Sequence, residues 1–251
     1  TVARGREMLR ENAELLNEVS ERYGVQPRFI VAIWGIETRY GRVQGTMPVM
    51  PALATLAFDR RRSSFFRNEL LQALRMVDAG HIELANLKGS WAGAMGQSQF
   101  IPSSYMAYAI DFDGDGRRDI WNSRADVFAS IANYLKSHGW DDSATWGRQV
   151  SLPKGFDRKL AEIGEAEDGS CRALRRVTPE KKLSEWQALG VRRAGGGDLP
   201  GRDLEAALVP AEQTGGPAFL VYDNYRSILR YNCAHLYGLT VGMLADAISR
   251  P

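Results

Sequence analysis

The sequence predicts a mainly α-helical protein carrying a small, loop-rich, partly β insertion, and three observations carry that prediction. Apolar residues recur at helical spacing from residue 2 to 138, and helices return from about 224 to 249. Between them, residues 141–217 lose that period and gain glycine-rich breaks. The composition is globular, 44% hydrophobic and 25% charged over 251 residues, enough apolar material for a sizeable core. The expected division is a helical body at 1–140 with 218–251, and an insertion at 141–217.

Residues 2–23 read as one amphipathic helix through Met8, Leu9, Leu15, Leu16, Val19 and Tyr23, stopped by Gly24. Pro27 suits the first turn of a second helix over 27–40, whose apolar residues on nearly every side predict burial on most faces. Residues 41–51, with Gly41, Gly45, Pro48 and Pro51, read as a loop. Helices follow at 51–59 and 63–79, the second through Phe66, Leu70, Leu74 and Val77. Glycines punctuate 88–99, Pro102 opens a short helix ending before Asp111, and Asp126–His138 reads as a helix stopped by Gly139. Inside the insertion, Gln149–Leu152 alternates like a strand, and Thr178–Pro179 and Gly190 bracket a helix. Gly195–Gly197 and Gly215–Gly216–Pro217 are breaks, and Ala218–Tyr222 reads as a strand.

A net charge of +2, from 32 basic and 30 acidic residues, gives no footprint for nucleic acid. No apolar run reaches the length of a membrane-spanning helix, and no charged-then-apolar leader opens the chain at Thr1. Cys171 and Cys233 form one disulfide if the protein is exported, or stand as two thiols; spacing alone does not choose.

Glu37 is the candidate catalytic residue. It shares a helix stripe with Ile30, Ile33 and Trp34 and falls in the last turn, where unpaired carbonyls carry partial negative charge. Apolar neighbours and that charge both disfavour a carboxylate, so both favour the protonated acid that a glycosidase presents to its leaving oxygen. The plainer alternative is a solvated Glu paired with Arg39 or Arg42. A standard glycosidase needs a second carboxylate, and no other acid stands in a comparably apolar setting. A lone Glu37 therefore requires the substrate to supply the attacking group.

Asp111, Asp113, Asp115 and Asp119 occupy positions 1, 3, 5 and 9 of an EF-hand-like loop, with Gly116 at the sharp turn. Arg117 would offer its backbone carbonyl. Position 12 is Asn122 rather than Glu, so Asp126 becomes the closing carboxylate. Acids this close repel without a cation, which points to a structural Ca2+.

Three stretches together carry a resemblance: Ile33-Trp-Gly-Ile-Glu37-Thr-Arg-Tyr-Gly41, Gly89-Ser-Trp-Ala-Gly-Ala-Met-Gly-Gln-Ser-Gln-Phe-Ile-Pro-Ser-Ser-Tyr105, and Tyr231-Asn232, with the calcium loop between them. In this order and spacing the chain resembles the membrane-bound lytic transglycosylase B family from about residue 10 to 248. The resemblance implies a lysozyme-like helical core with additional N-terminal helices, and cleavage of the MurNAc–GlcNAc β-1,4 bond of peptidoglycan with a 1,6-anhydromuramoyl product. It implies that Ser90 and Gln99 line the cleft beside Glu37, that Arg61 and Arg62 meet the substrate's lactyl or peptide end, and that Tyr134, Tyr231, Asn232 and Tyr237 wall the sugar subsites. It matches Asp111, Asp113, Asp115, Asp126 and the Arg117 carbonyl to the calcium shell. It further implies a periplasmic monomer, soluble or associated with the outer membrane, acting on glycan strands and in company with other cell-wall enzymes. No lipoprotein cysteine stands near Thr1 to claim anchorage, and a wall-binding domain after Pro251 is left open. One extra residue lies between Trp121 and Asp126, which loosens the last calcium ligand.

The plainer roles are a turn cap for Ser90, core packing for Tyr134, and a solvated run for Arg61 and Arg62 with Arg60. His81, His138 and His235 lack metal spacing and read as structural. Two other functions compete with the lyase: a muramidase-type hydrolase on the same fold, and a non-catalytic glycan-binding module stabilised by calcium.

Overall fold

The structure, a computed structural model, describes residues 1–156, 171, 173–174, 178–209 and 217–250, which leaves the Gly215–Gly216 break outside the described residues. The chain forms two compact units, 1–137 with 243–251, and 138–242.

The first unit is helical. The single helix expected over 2–23 is two, α1 (Val2–Glu11) and α2 (Ala13–Tyr23). Asn12 interrupts them: its side-chain amide takes the Met8 carbonyl at 2.8 Å, competing with the helix ladder, and Arg124 holds its oxygen at 3.0 Å. Gly24, left-handed at φ 69°, stops α2. Helix α3 (Pro27–Thr38) begins on its proline and buries Phe29 through Gly35 without a gap, so it runs through the core as its composition predicts. It ends earlier than Gly41, because Arg39 and Tyr40 already take left-handed conformations.

The expected loop at 41–51 contains β1 (Met47–Pro48), which runs directly into α4 (Val49–Phe58). Strand β1 pairs antiparallel with β2 (Lys88–Gly89), Met47 opposite Gly89. Helix α5 (Ser63–Asp78) buries Phe66, Glu69, Ala73 and Met76, while Leu74 is 47% exposed; the inward face lies about one residue from the expected one. The cause is Glu69, which accepts the Ser103 amide at 2.9 Å and so caps the start of α6 (Pro102–Tyr108). Helix α7 (Arg124–Ser137) starts two residues before the expected Asp126 and is buried along Asp126–Ala132. Trp34 of α3 meets Phe128 of α7 edge-on at 5.1 Å.

The second unit holds an antiparallel sheet in the order β4-β6-β7-β3-β5. Its strands are β3 (Gly147–Ser151), β4 (Lys181–Lys182), β5 (Arg192–Arg193), β6 (Glu205–Val209) and β7 (Ala218–Val221). Strand β7 is buried at every position, so both faces of the sheet are covered there, and it pairs Ala218 with Val150 and Val221 with Gly147. The expected start at Thr178–Pro179 is corrected: helix α8 (Leu183–Ala188) begins only after Lys181 and Lys182 have paired with β6. Its Trp186 is fully buried and donates its indole N–H to Ala206 of β6 at 2.8 Å. The helices expected over 224–249 are α9 (Asp223–Tyr231) and α10 (His235–Ser249). The break falls at Cys233, which forms a disulfide with Cys171.

Candidate functional site

Glu37 lies half-buried in the last turn of α3, beyond the fully buried Ile30 and Ile33. Arg39, Tyr40 and Gly41 follow with φ 52°, 61° and 80°. Two consecutive side-chain-bearing residues in the left-handed region cost about 1–3 kcal/mol each unless the surroundings enforce them. The enforcing contacts are visible. The buried Thr38 hydroxyl contacts the Gln97 carbonyl at 3.0 Å and the Trp34 carbonyl at 3.2 Å, and it accepts the Gly41 amide at 3.1 Å. The Tyr40 hydroxyl donates to the Thr1 carbonyl at 3.0 Å.

These bonds fix the end of α3 against the glycine-punctuated loop 89–100, which carries Ser90 and Gln99. Ser90 Oγ accepts the amides of Ala92 and Ala94 at 3.3 and 3.0 Å. It therefore does organise its turn, while its own O–H remains a donor. Gln99 sits at φ 52° and donates from Nε2 to the carbonyls of Gln44 and Gly96 at 3.1 and 2.9 Å. Trp91, next to Ser90, is 66% exposed, an indole face open to solvent that sequence reasoning did not single out. Its signal was there, an aromatic inside a glycine-rich loop.

Gln97 was also missed. It is buried, and both ends of its amide are engaged. Glu69 is a buried acid that contradicts the expectation of no second carboxylate in apolar surroundings. Its contact with the Ser103 amide explains it as a cap.

The remaining predicted residues stand on other elements. Arg61 and Arg62 lie in the turn after α4, one helix length, about 15 Å, from the β1–β2 pair at that helix's start. Arg61 forks onto Asp59 with bonds of 2.7–3.2 Å, which holds the Asp59 carboxyl down at about 2. Arg62 lies over the Phe65 ring at 4.3 Å. Tyr134 is only 8% exposed and packs on Phe100 and Tyr108, with centroids 5.7 and 4.8 Å away. Tyr231, Asn232 and Tyr237 belong to the second unit. There the rings of Tyr231 and Tyr237 stack at 6.4 Å, and Asn232 is exposed.

In the acidic loop, carboxylate oxygens of Asp111, Asp113 and Asp115 lie within 4.8 Å of one another. Asp111 accepts the amides of Gly114 and Gly116 at 2.8 and 2.9 Å, and both glycines have positive φ. Asp126 is fully buried. Its two oxygens accept the amides of Phe112 and Asp119 at 2.7 and 2.6 Å, and burial pushes its carboxyl above the usual carboxylate range. Asp119 Oδ1 accepts the amides of Trp121 and Asn122 at 3.0 and 2.9 Å. A set of carboxylate oxygens this close fits a hard cation such as Ca2+. Beside the loop opens a groove of about 940 Å³, lined by Arg42, His81, Lys88 and Trp121 among others; of the residues predicted for the calcium loop, Arg117 and Asp119 line it.

The family described as transglycosylase SLT domain matches residues 1–246. The chain is 37% identical over 242 residues to membrane-bound lytic murein transglycosylase B of Escherichia coli K12, covering 94% of this chain and 60% of that protein. SltB3 from Pseudomonas aeruginosa, solved in complex with NAG-anhNAM-pentapeptide, superposes with a TM-score of 0.89 at 45% identity, over 99% of this chain and 63% of that one. The Escherichia coli lytic transglycosylase Slt35, solved in complex with calcium, superposes with a TM-score of 0.81 at 33% identity, over 99% of this chain and 74% of that one. The chain thus spans about three fifths of the length of the curated relative it matches.

Proposed function

The chain belongs to the transglycosylase SLT domain family, and from that premise we propose that it cleaves the β-1,4 MurNAc–GlcNAc bond of peptidoglycan as a lytic transglycosylase. The observation that carries this reading is Glu37, half-buried in the last turn of a buried helix whose end, one residue further on, runs into two side-chain-bearing left-handed residues, Arg39 and Tyr40. Strain held at one spot next to a carboxyl group is the mark of a position kept for chemistry.

In the proposed reaction the Glu37 carboxyl donates its proton to the glycosidic oxygen as the C1–O bond breaks. The resulting carboxylate takes the proton of the muramoyl 6-hydroxyl, whose oxygen bonds to C1 and closes the 1,6-anhydro ring. Glu37 ends protonated, and no water is consumed. One carboxyl group suffices, which agrees with Glu69 being engaged as a helix cap. That SltB3 was solved with an anhydro-muramoyl fragment favours this course over hydrolysis.

Ser90 is assigned a donor role toward substrate through its uncommitted O–H. Gln99, Tyr134, Tyr231, Asn232 and Tyr237 are assigned to the sugar subsites, and Arg61 and Arg62 to the lactyl or peptide end. The catalytic role falls to residues 1–140 with 218–251, the supporting role to 141–217. Asp111, Asp113, Asp115, Asp126 and the Arg117 carbonyl would hold a structural Ca2+ in an EF-hand-like loop, a reading favoured by the oxygen cluster and by the calcium complex of Slt35. The substrate sets the location as the periplasm; among the described residues no helix is long and apolar enough to cross a membrane.

Mass spectrometry of purified sacculi digested by wild type and by Glu37→Gln tests the reading. Wild type is expected to release ends lighter by one water than hydrolysis gives. Glu37→Gln is expected to lose about 10²–10⁴-fold in turnover while still binding glycan. Hydrated ends would make the protein a hydrolase, and full activity of Glu37→Gln would remove the mechanism.

A further inference from the structure

Gln97 has all four of its polar groups engaged. Its amide N–H donates to the Ile120 carbonyl at 2.8 Å, and its carbonyl contacts the Thr38 hydroxyl at 3.0 Å. Its side-chain Oε1 accepts the indole N–H of Trp34 at 2.8 Å, and Nε2 donates to the Trp121 carbonyl at 2.7 Å. The indole can only donate and the carbonyl can only accept, so the amide has one possible orientation. Asparagine is a methylene shorter, and glutamate would set an oxygen against the Trp121 carbonyl; glutamine alone serves both partners at this reach. Gly41 belongs to the same arrangement, since a Cβ there would collide with the Gln97 amide.

Two of the four partners, Trp34 and Thr38, flank Glu37 in the last turn of α3, three residues before it and one after. The Trp34 ring is locked further by edge-on contacts with Tyr40 and Phe128 at 5.5 and 5.1 Å. The other two partners, Ile120 and Trp121, belong to the segment that closes the acidic loop. Gln97 thus ties three segments at one side chain, and the turn bearing Glu37 is one of them.

Resting on the function proposed above, we propose that Gln97 is a positioning residue: it fixes the last turn of α3 and through it the direction of the Glu37 carboxyl. A displacement of about 1 Å at a reacting group costs on the order of 100-fold in rate, so loss of this tie is read in kcat rather than in KM.

The experiment compares Gln97→Leu, Trp34→Phe and their double variant with Trp186→Phe on purified peptidoglycan, below the melting transition of each. Trp186→Phe removes an indole bond of the same length, equally buried, but in the second unit. Gln97→Leu and Trp34→Phe are each expected to lose about 10- to 100-fold in kcat with KM within about 3-fold. The double variant is expected to be no worse than the poorer single one, because both remove one tie. Trp186→Phe is expected to melt earlier with kcat within about 2-fold of wild type. Should Gln97→Leu fail to fold, Trp34→Phe against Trp186→Phe decides alone. Folded Gln97 or Trp34 variants with wild-type kcat, or with a kcat loss matched by Trp186→Phe, would overturn the positioning role. Absence of turnover in wild type would instead overturn the proposed function, and this inference with it.

Discussion

The backbone of Gly45 runs directly against the carbonyl group of Gly89. A Cβ at Gly45 would collide with that carbonyl and come within 2.7 Å of the Ser90 amide nitrogen, and Gly45 has φ +85°. Gly45→Ala therefore meets a steric block and a backbone strain at once, about 1–3 kcal/mol for the strain alone. We expect a lower melting temperature and a loss of turnover larger than the loss of folded protein, because the displaced atoms adjoin Ser90. Thermal melts and peptidoglycan digestion on one preparation measure both.

Cys171 and Cys233 are 62 residues apart and joined. Closing a loop of that length restricts the unfolded chain, so reduction, or the double change Cys171→Ala and Cys233→Ala, should cost about 2–5 kcal/mol. The effect should reside in the second unit, where both residues lie. Denaturant melts with and without reductant measure it; coincident curves would be inconsistent with a disulfide in solution.

How much of this was legible beforehand depended on what each residue answers to. The stop at Gly24, the starts at Pro27 and Pro102 and the buried run of α3 are local, and they were read correctly. The break at Asn12 was not, because an asparagine disrupts a helix only when a partner such as Arg124 holds its side chain in place. The inward face of α5 was misread for the same reason: Glu69 is polar by composition and buried because the start of α6 meets it. Gln97 stood two residues from the recognised Gln99, yet its partners come from α3 and from Ile120–Trp121, contacts that no spacing along the chain encodes.

The acidic loop should make stability depend on metal. A cation binding only the folded chain stabilises it by mass action, about 2.7 kcal/mol at a hundred times Kd. EDTA should lower the melting temperature, and Asp111→Ala should abolish that shift. The pH dependence has a definite sign in metal-free protein. Asp126 has a folded pKa raised by burial, so its contribution favours folding below the ordinary carboxylate pKa and is lost as pH rises through the folded value. Calcium selects the ionised form, so the EDTA effect should grow with pH across that window. A melting temperature indifferent to EDTA at neutral pH in metal-loaded protein would exclude the calcium assignment.

Arg61 is engaged by Asp59, and the pair is exposed enough that little stability depends on it. If Arg61 meets the substrate's carboxylates, Asp59 competes for the same fork. Asp59→Asn should then lower KM for peptide-bearing glycan by about 2- to 3-fold, within the range of an exposed ion pair, and leave the melting temperature unchanged. Steady-state kinetics on glycan with and without stem peptides distinguishes this from a general effect, since bare glycan should be indifferent.

Glu69 offers the sharpest check on a one-acid mechanism, because among the described residues it is a buried carboxyl outside the acidic loop, and a two-acid glycosidase needs a second carboxyl. Its oxygen caps α6 through the Ser103 amide, and an amide oxygen does the same. Glu69→Gln should therefore keep turnover within about 2-fold and melt nearly like wild type. Glu69→Ala strands the Ser103 N–H in the interior, at about 1–3 kcal/mol, and should melt earlier while its folded fraction turns over normally. Were Glu69→Gln to lose activity as deeply as Glu37→Gln while remaining folded, Glu69 would be a second acid, water would be the expected nucleophile, and hydrated sugar ends should then appear in the digest.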